Sequence, residues 1–251
     1  SQITNYTYDN TYKHTNPTIV NVDFSDSSQK TIYAYAHEKG NQLMISKNMI
    51  GIPLETTTTK TIGTTTKTLS RSETLYPYSQ SEADTKTSGL VLPYTVFSTD
   101  LQNNQATEIT YDKYDSKGNL QQYTTKDGIS TTIIWGYNNT QPIAKIEGAK
   151  LSDIQQSMID SIVNASNTDA LAAPNNDETS FLSVLNTFKN NLPNYQVSTY
   201  TYDPLIGIRS ITPPSGIREV YIYDTANRLK EIRENDATGK LLKEFKYNYK
   251  N

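Results

Sequence analysis

The chain has 251 residues, a formal net charge of −3, 20% charged residues and no cysteine. That excludes disulfides and thiolate metal sites, and it lacks the basic stripe that nucleic acid requires. Tyrosine stands out, with 19 Tyr against 5 Phe and 1 Trp; together with abundant threonine it fits a pleated sheet surface better than a helix.

Taken in chain order, alternating apolar and polar residues predict strands in "NYTYD" (5–9), "TIVNVDF" (18–24), "TIYAYAHE" (31–38) and "NQLMIS" (41–46). The chain starts at Ser1 rather than methionine, which predicts a processed product or a fragment. Residues 53–76, "PLETTTTKTIGTTTKTLSRSETLY", read as two threonine-rich strands turning at Gly63. The polar stretch "YSQSEADTKTSG" (78–89) has no period and reads as a loop. The longest mostly apolar run, "LVLPYTVF" (90–97), contains Pro93 and is too short to span a bilayer as a helix.

From residue 106 the strands become more regular. "TEITYDKYDS" leads to a turn at Lys117, Gly118 and Asn119, then "LQQYTT"; Asp127-Gly128 makes the next turn into "ISTTIIWGYN". The period then switches to that of a helix. Leu151, Ile154, Met158 and Ile162 form one apolar stripe, with Ser152 and Gln155 at capping-box spacing. Phe181, Leu185, Phe188 and Leu192 form a second, with Asn176 or Asp177 as N-cap and Pro193 as stop. The link 164–177 joins them into a helical hairpin set within a β framework. Strands resume in "YQVSTYTYD", "GIRSIT", "REVYIYD", "RLKEIREND" and "KLLKEFKYNY".

A tyrosine followed by Asp or Asn recurs at strand ends: Tyr114-Asp115, Tyr137-Asn138, Tyr202-Asp203, Tyr223-Asp224 and Tyr247-Asn248. The intervals between the acid or amide positions are 23, 65, 21 and 24 residues. Removing the roughly 44 residues of the helical segment restores the common period, so repeat and insertion support each other. The chain here resembles the RHS or YD-repeat family, whose unit is Tyr-Asp, two residues, then Gly-Arg-Leu. "YDSKGNL" keeps Gly118 and Leu120 with Asn119 at the Arg position; "YDTANRL" keeps Arg228 and Leu229 with Asn227 at the Gly position. Asn is the next best residue after Gly for a left-handed turn. Tyr202-Asp203 is followed by Pro204 and Gly207, a looser copy. The helical insertion and the "TYDPLIGI" wording also look like RHS-type proteins of Bacteroidota.

Within the motif every residue type has a structural use. Tyr221 and Tyr223 share one strand face and can form cross-strand rungs, while Asp224 can accept amide hydrogen bonds from the turn. Arg228 can cover an aromatic face or pair with an aspartate. Catalysis finds little support: His14 and His37 stand without a nucleophile motif, as sheet-face or surface histidines. Asp203-Pro204 superficially echoes the self-cleavage element of RHS cores but reads as a repeat turn. Asp23 and Asp26 read as a solvated turn rather than a calcium site, and the threonine run 56–68 as a solvent-facing hairpin.

The fold expected is mainly β, a repetitive antiparallel YD-repeat sheet of shell-like form with an inserted α-helical hairpin. Its parts are a Tyr/Thr-rich β region (1–105), repeat strands (106–148), the helical hairpin (149–194) and further repeat strands (195–251). The resemblance implies a non-enzymatic, secreted or bacterial cell-surface segment of a larger RHS-type polypeptide, walling in or presenting an effector or toxin domain. The alternative is a carbohydrate- or protein-binding, adhesin-like module. No cofactor, nucleic acid or membrane insertion is expected. The helical hairpin is either a lid on the sheet or a partner-binding element.

Overall fold

The computed structural model describes residues 2–9, 11, 14–172 and 178–247. The chain is mainly β and divides into two compact units, Ser1–Gly128 and Ile129–Asn251. That division falls inside the 106–148 stretch read from sequence as one block of strands.

The first unit holds β1 (Ile3–Tyr8), β2 (Pro17–Asp23), β3 (Ser27–Ala34), β4 (Glu55–Ile62) and β5 (Thr65–Leu75). It continues with β6 (Thr95–Thr99), β7 (Gln105–Tyr114) and β8 (Leu120–Thr125), each strand antiparallel to its predecessor. Two short helices correct the sequence reading. Residues 42–46 form α1 (Gln42–Ser46) instead of a strand, because Asn41 caps it by accepting the Met44 amide at 3.0 Å. Its buried Met44 joins Ala36 and Leu54 in a small core. The polar stretch 78–89 contains α2 (Gln80–Lys86), started by Ser79, whose hydroxyl accepts the Glu82 amide at 3.2 Å. Only Ala83 of α2 is buried, so no apolar stripe announced it.

In the second unit, β9 (Ser130–Gly136) and β10 (Gln141–Glu147) precede α3 (Gln156–Ala172) and α4 (Thr179–Asn190). The meander then runs on through β11 (Gln196–Asp203), β12 (Gly207–Thr212), β13 (Glu219–Tyr223), β14 (Leu229–Glu234) and β15 (Leu241–Glu244). β10 pairs directly with β11, Ile146 opposite Val197, so the two helices occupy the place of a hairpin loop.

Ser152 does not cap α3; it lies in a single 3-10 turn, Leu151–Asp153, ahead of the helix. α3 also runs on through 164–172, residues read as a link, since its face there still packs inward: Ala165 and Ala170 lie against the core. The caps expected at Asn176 and Asp177 lie outside the described residues. Ile154, Ile162, Phe181, Leu185, Phe188 and Leu192 bury their side chains against Ile134, Ile143, Ile146 and Val197 of the sheet. Each large apolar side chain so covered contributes about 1.5–3 kcal/mol. α3 therefore covers β9 and β10, and α4 packs against α3. Gly136 lets α3 approach this closely, because an added Cβ would collide with Ser166 Oγ and with Ile143.

Candidate functional site

The motif residues build hairpin corners. Asp115 Oδ1 accepts the amides of Lys117 (2.8 Å) and Asn119 (2.9 Å), and its Oδ2 accepts the Asn119 side-chain amide at 2.9 Å. Asp224 does the same: Oδ1 takes the amides of Ala226 and Arg228, and Oδ2 takes the Arg228 guanidinium at 2.8 Å. In both turns the residue three after the aspartate is left-handed, Gly118 at φ 88° and Asn227 at φ 57°. Leu120 and Leu229 then open the next strand, opposite Tyr114 and Tyr223. Arg228 also lies 4.9 Å over the Tyr247 ring, and its ion pair with Asp224 holds that carboxyl below the usual range.

A corner of the same geometry, missed from sequence, stands at Asp100. Its Oδ1 accepts the amides of Gln102 and Asn104, its Oδ2 accepts the Asn104 side chain, and Asn103 is left-handed at φ 65°. The signal was present, since "DLQNN" shares the first Asp and last Asn of "DSKGN" and has Asn103 at the Gly118 position. The preceding residue is Thr99 rather than tyrosine, which hid it.

Tyr221 and Tyr223 stand opposite Ile232 and Leu229 across β13 and β14, and the hydroxyls of several tyrosines make a further tie. Tyr114 donates its hydroxyl to the Pro93 carbonyl at 2.7 Å, Tyr223 to Ile208 at 2.8 Å and Tyr247 to Leu229 at 2.8 Å. Tyr35, outside the motif, donates to Pro17 at 2.9 Å. Each runs from the end of one strand to the start of the strand before, tying neighbours at the rim. Burial pushes the Tyr114 phenol well above its usual range. Tyr221 instead reaches back to Glu219 at 3.2 Å. Asp203 accepts the Leu205 amide at 3.1 Å in a turn whose Leu205 is 90% exposed. Asn248 lies outside the described residues.

Tyr137 and Asn138 depart from this pattern. Tyr137, Asn138 and Asn139 are all left-handed, at φ 49°, 59° and 61°. The fully buried Tyr137 turns its hydroxyl toward the helices. It donates to Asp169 Oδ2 at 2.8 Å and accepts the Tyr202 amide at 2.9 Å. Its ring meets Tyr202 and Phe181 edge-on at 5.6 and 6.0 Å. Above the same turn, Ser166 Oγ accepts the Tyr137 amide and Asn167 Oδ1 accepts the Asn138 amide. Burial, with Tyr200 nearby, pushes the Tyr202 phenol up to about 12.

Glu178 completes this buried polar cluster. Left-handed at φ 58° and buried, it opens α4, and its carboxylate lies 3.3 Å from Arg209 of β12. Burial raises its carboxyl above the ordinary value more than Thr201 and Arg209 lower it. A carboxyl raised on folding contributes stability at low pH, and loses it as pH rises from the unfolded value through the folded one. In urea unfolding of the second unit, the parent is thus expected to lose stability relative to Glu178→Gln as pH rises above the ordinary carboxylate value, and a difference that does not change with pH would refute this. Nothing in sequence pointed to Glu178, Asp169 or Ser166, because their partners are remote in the chain.

His14 is buried rather than on a sheet face or surface, 3.1 Å from Glu38 and 4.9 Å from the Tyr35 ring. Among the described residues, no group of three or more His, Asp or Glu stands close enough to hold a metal. No helix of the described residues is long and apolar enough to cross a membrane.

No family model and no curated protein matches the chain. Solved structures do. The chain is similar to TcdB2-TccC3 without its hypervariable C-terminal region, at 12% identity and TM-score 0.39, over 95% of this chain and 12% of that one. TcdB2-TccC3-Cdc42 matches at 12% identity and TM-score 0.38, over 95% of this chain and 12% of that one. A Photorhabdus luminescens Tc holotoxin pore with a TccC3 mutation matches at 12% identity and TM-score 0.37, over 97% of this chain and 12% of that one. The chain thus spans only 12% of the length of each structure it resembles.

Proposed function

We propose that the chain is a non-enzymatic wall segment of a larger secreted or cell-surface polypeptide, built to enclose or present an effector domain. The observation that carries this reading is where the motif's chemistry goes. Each described corner aspartate is engaged by turn amides, and the hydroxyls of Tyr114, Tyr223 and Tyr247 bond to main-chain carbonyls. Such a meander can be extended strand by strand without changing its local rules. The adhesin-like alternative needs exposed rings. Tyr6 and Tyr8 are exposed together on β1, while Tyr78 before α2 and Tyr247 after β15 are exposed on other elements, so no described element offers three exposed tyrosine rings.

Limited proteolysis of the complete polypeptide containing this chain tests enclosure. The enclosed part is expected to be cut far more slowly than when it is expressed alone; equal rates would defeat the proposal. Saturable micromolar binding on a glycan panel, lost on replacing Tyr6 and Tyr8 by alanine, would favour the adhesin. Locally, Tyr223→Phe is expected to cost about 1 kcal/mol, the worth of one ordinary hydrogen bond. Urea unfolding measures it.

A further inference from the structure

Lys189, in the last turn of α4, meets a neutral acceptor where a carboxylate would be expected. Its ammonium donates to the Pro213 carbonyl at 2.8 Å, in the loop between β12 and β13. That carbonyl also accepts the Gly216 amide at 3.0 Å. Lys189 makes no ion pair with a described residue. Burial holds its ammonium below the usual lysine range.

Arg218, at the far end of the same loop, donates Nε to the Asn235 carbonyl at 2.8 Å. Its terminal amino groups make no hydrogen bond to a described residue. Glu178 and Asp236 feel its charge without forming an ion pair with it.

Both cations line one cavity of about 200 Å³, floored by Leu182 and Leu185 of α4. Thr199, Thr212 and Asn186 add two hydroxyls and an amide, and no acidic side chain lines it. Two cations without a carboxylate, set above a leucine floor, are complementary to an anion with an apolar body. A guanidinium fork matches a carboxylate in plane, while an ammonium adds a point charge. The volume is below that of drug-sized pockets, so the ligand is small.

We infer that this cavity binds a carboxylate carried on a short aliphatic body, such as a branched short-chain acid or the C-terminal residue of a peptide. Arg218 and Lys189 hold the carboxylate, and Leu182 and Leu185 take the aliphatic part. This site is independent of the wall reading.

Titration of ¹⁵N-labelled protein with isovalerate, isovaleramide and inorganic phosphate tests it. Isovalerate is expected to shift the amides around Lys189, Thr212 and Arg218 saturably, with the amide and phosphate at least about tenfold weaker, since a charged hydrogen bond is lost or the floor is left empty. A leucine-terminated peptide binding more tightly than isovalerate identifies a peptide terminus, and equal binding identifies the free acid. Lys189→Met and Arg218→Met are each expected to weaken binding about tenfold, while Arg218→Lys keeps part of it. Unchanged spectra away from the site verify folding. The proposal is overturned if acid and amide bind alike, if phosphate binds as tightly as isovalerate, if no saturation is seen, or if the methionine variants bind like the parent.

Discussion

Replacement of Phe181 by alanine is expected to lower the unfolding free energy of the second unit by about 3–5 kcal/mol. The ring is 2% exposed, sits in the first turn of α4 and meets Tyr137 edge-on at 6.0 Å. Its neighbours cannot close the gap easily. Below lies a hydrogen-bonded sheet, and beside it α3 is held close by the Gly136 approach. A cavity that cannot collapse keeps its full cost. Trp135 of β9 is the only tryptophan of the chain, so its fluorescence in urea reports this unit. A loss of less than about 1 kcal/mol would mean that the helices contribute little to holding the sheet.

Tyr137→Phe is expected to cost about 2–4 kcal/mol, because removing one hydroxyl deprives two buried groups of a partner. The Tyr202 amide loses its acceptor, and Asp169 Oδ2 loses a donor. The useful comparison is Tyr223→Phe, the same deletion at a half-buried corner where water can replace the bond. The two changes remove identical atoms, so their difference reports the second hydrogen bond of the Tyr137 hydroxyl together with the deeper burial of its site. Equal losses would refute the claim that Tyr137 has a different role. Unfolding followed at Trp135 measures the first, and far-ultraviolet circular dichroism the second.

The sheet was legible because its rules are local. Alternation marked the threonine hairpin with its turn at Gly63, and Gly118 and Asn227 marked corners by the conformation they permit. The apolar stripes of α3 and α4 gave the helices, though not the 3-10 turn at Ser152 or the run of α3 through residues read as a link. Two short helices escaped for opposite reasons. "LMI" in α1 is a run of apolar residues with no period long enough to read, and α2 buries only Ala83. The Asp100 corner was hidden because Thr99 stands where the other corners carry tyrosine. Its aspartate and left-handed asparagine were sufficient. What no local rule carries is the cluster of Tyr137, Asp169 and Glu178, or the pairing of Lys189 with a carbonyl across the β12–β13 loop. Such contacts join residues that only the finished fold brings together.

The pairing of β10 with β11 beneath the helices has a further consequence for how such a chain can vary. The register Ile146 opposite Val197 ignores everything between Glu147 and Gln196. Lengthening a loop from a few residues to several tens costs only about 2 kcal/mol of closure entropy, and a buried stripe such as that of α4 repays it. The sheet therefore treats this junction as a socket. Material of different length and character can be seated there while the strands on either side keep their partners, which lets one segment of a repetitive structure acquire its own identity.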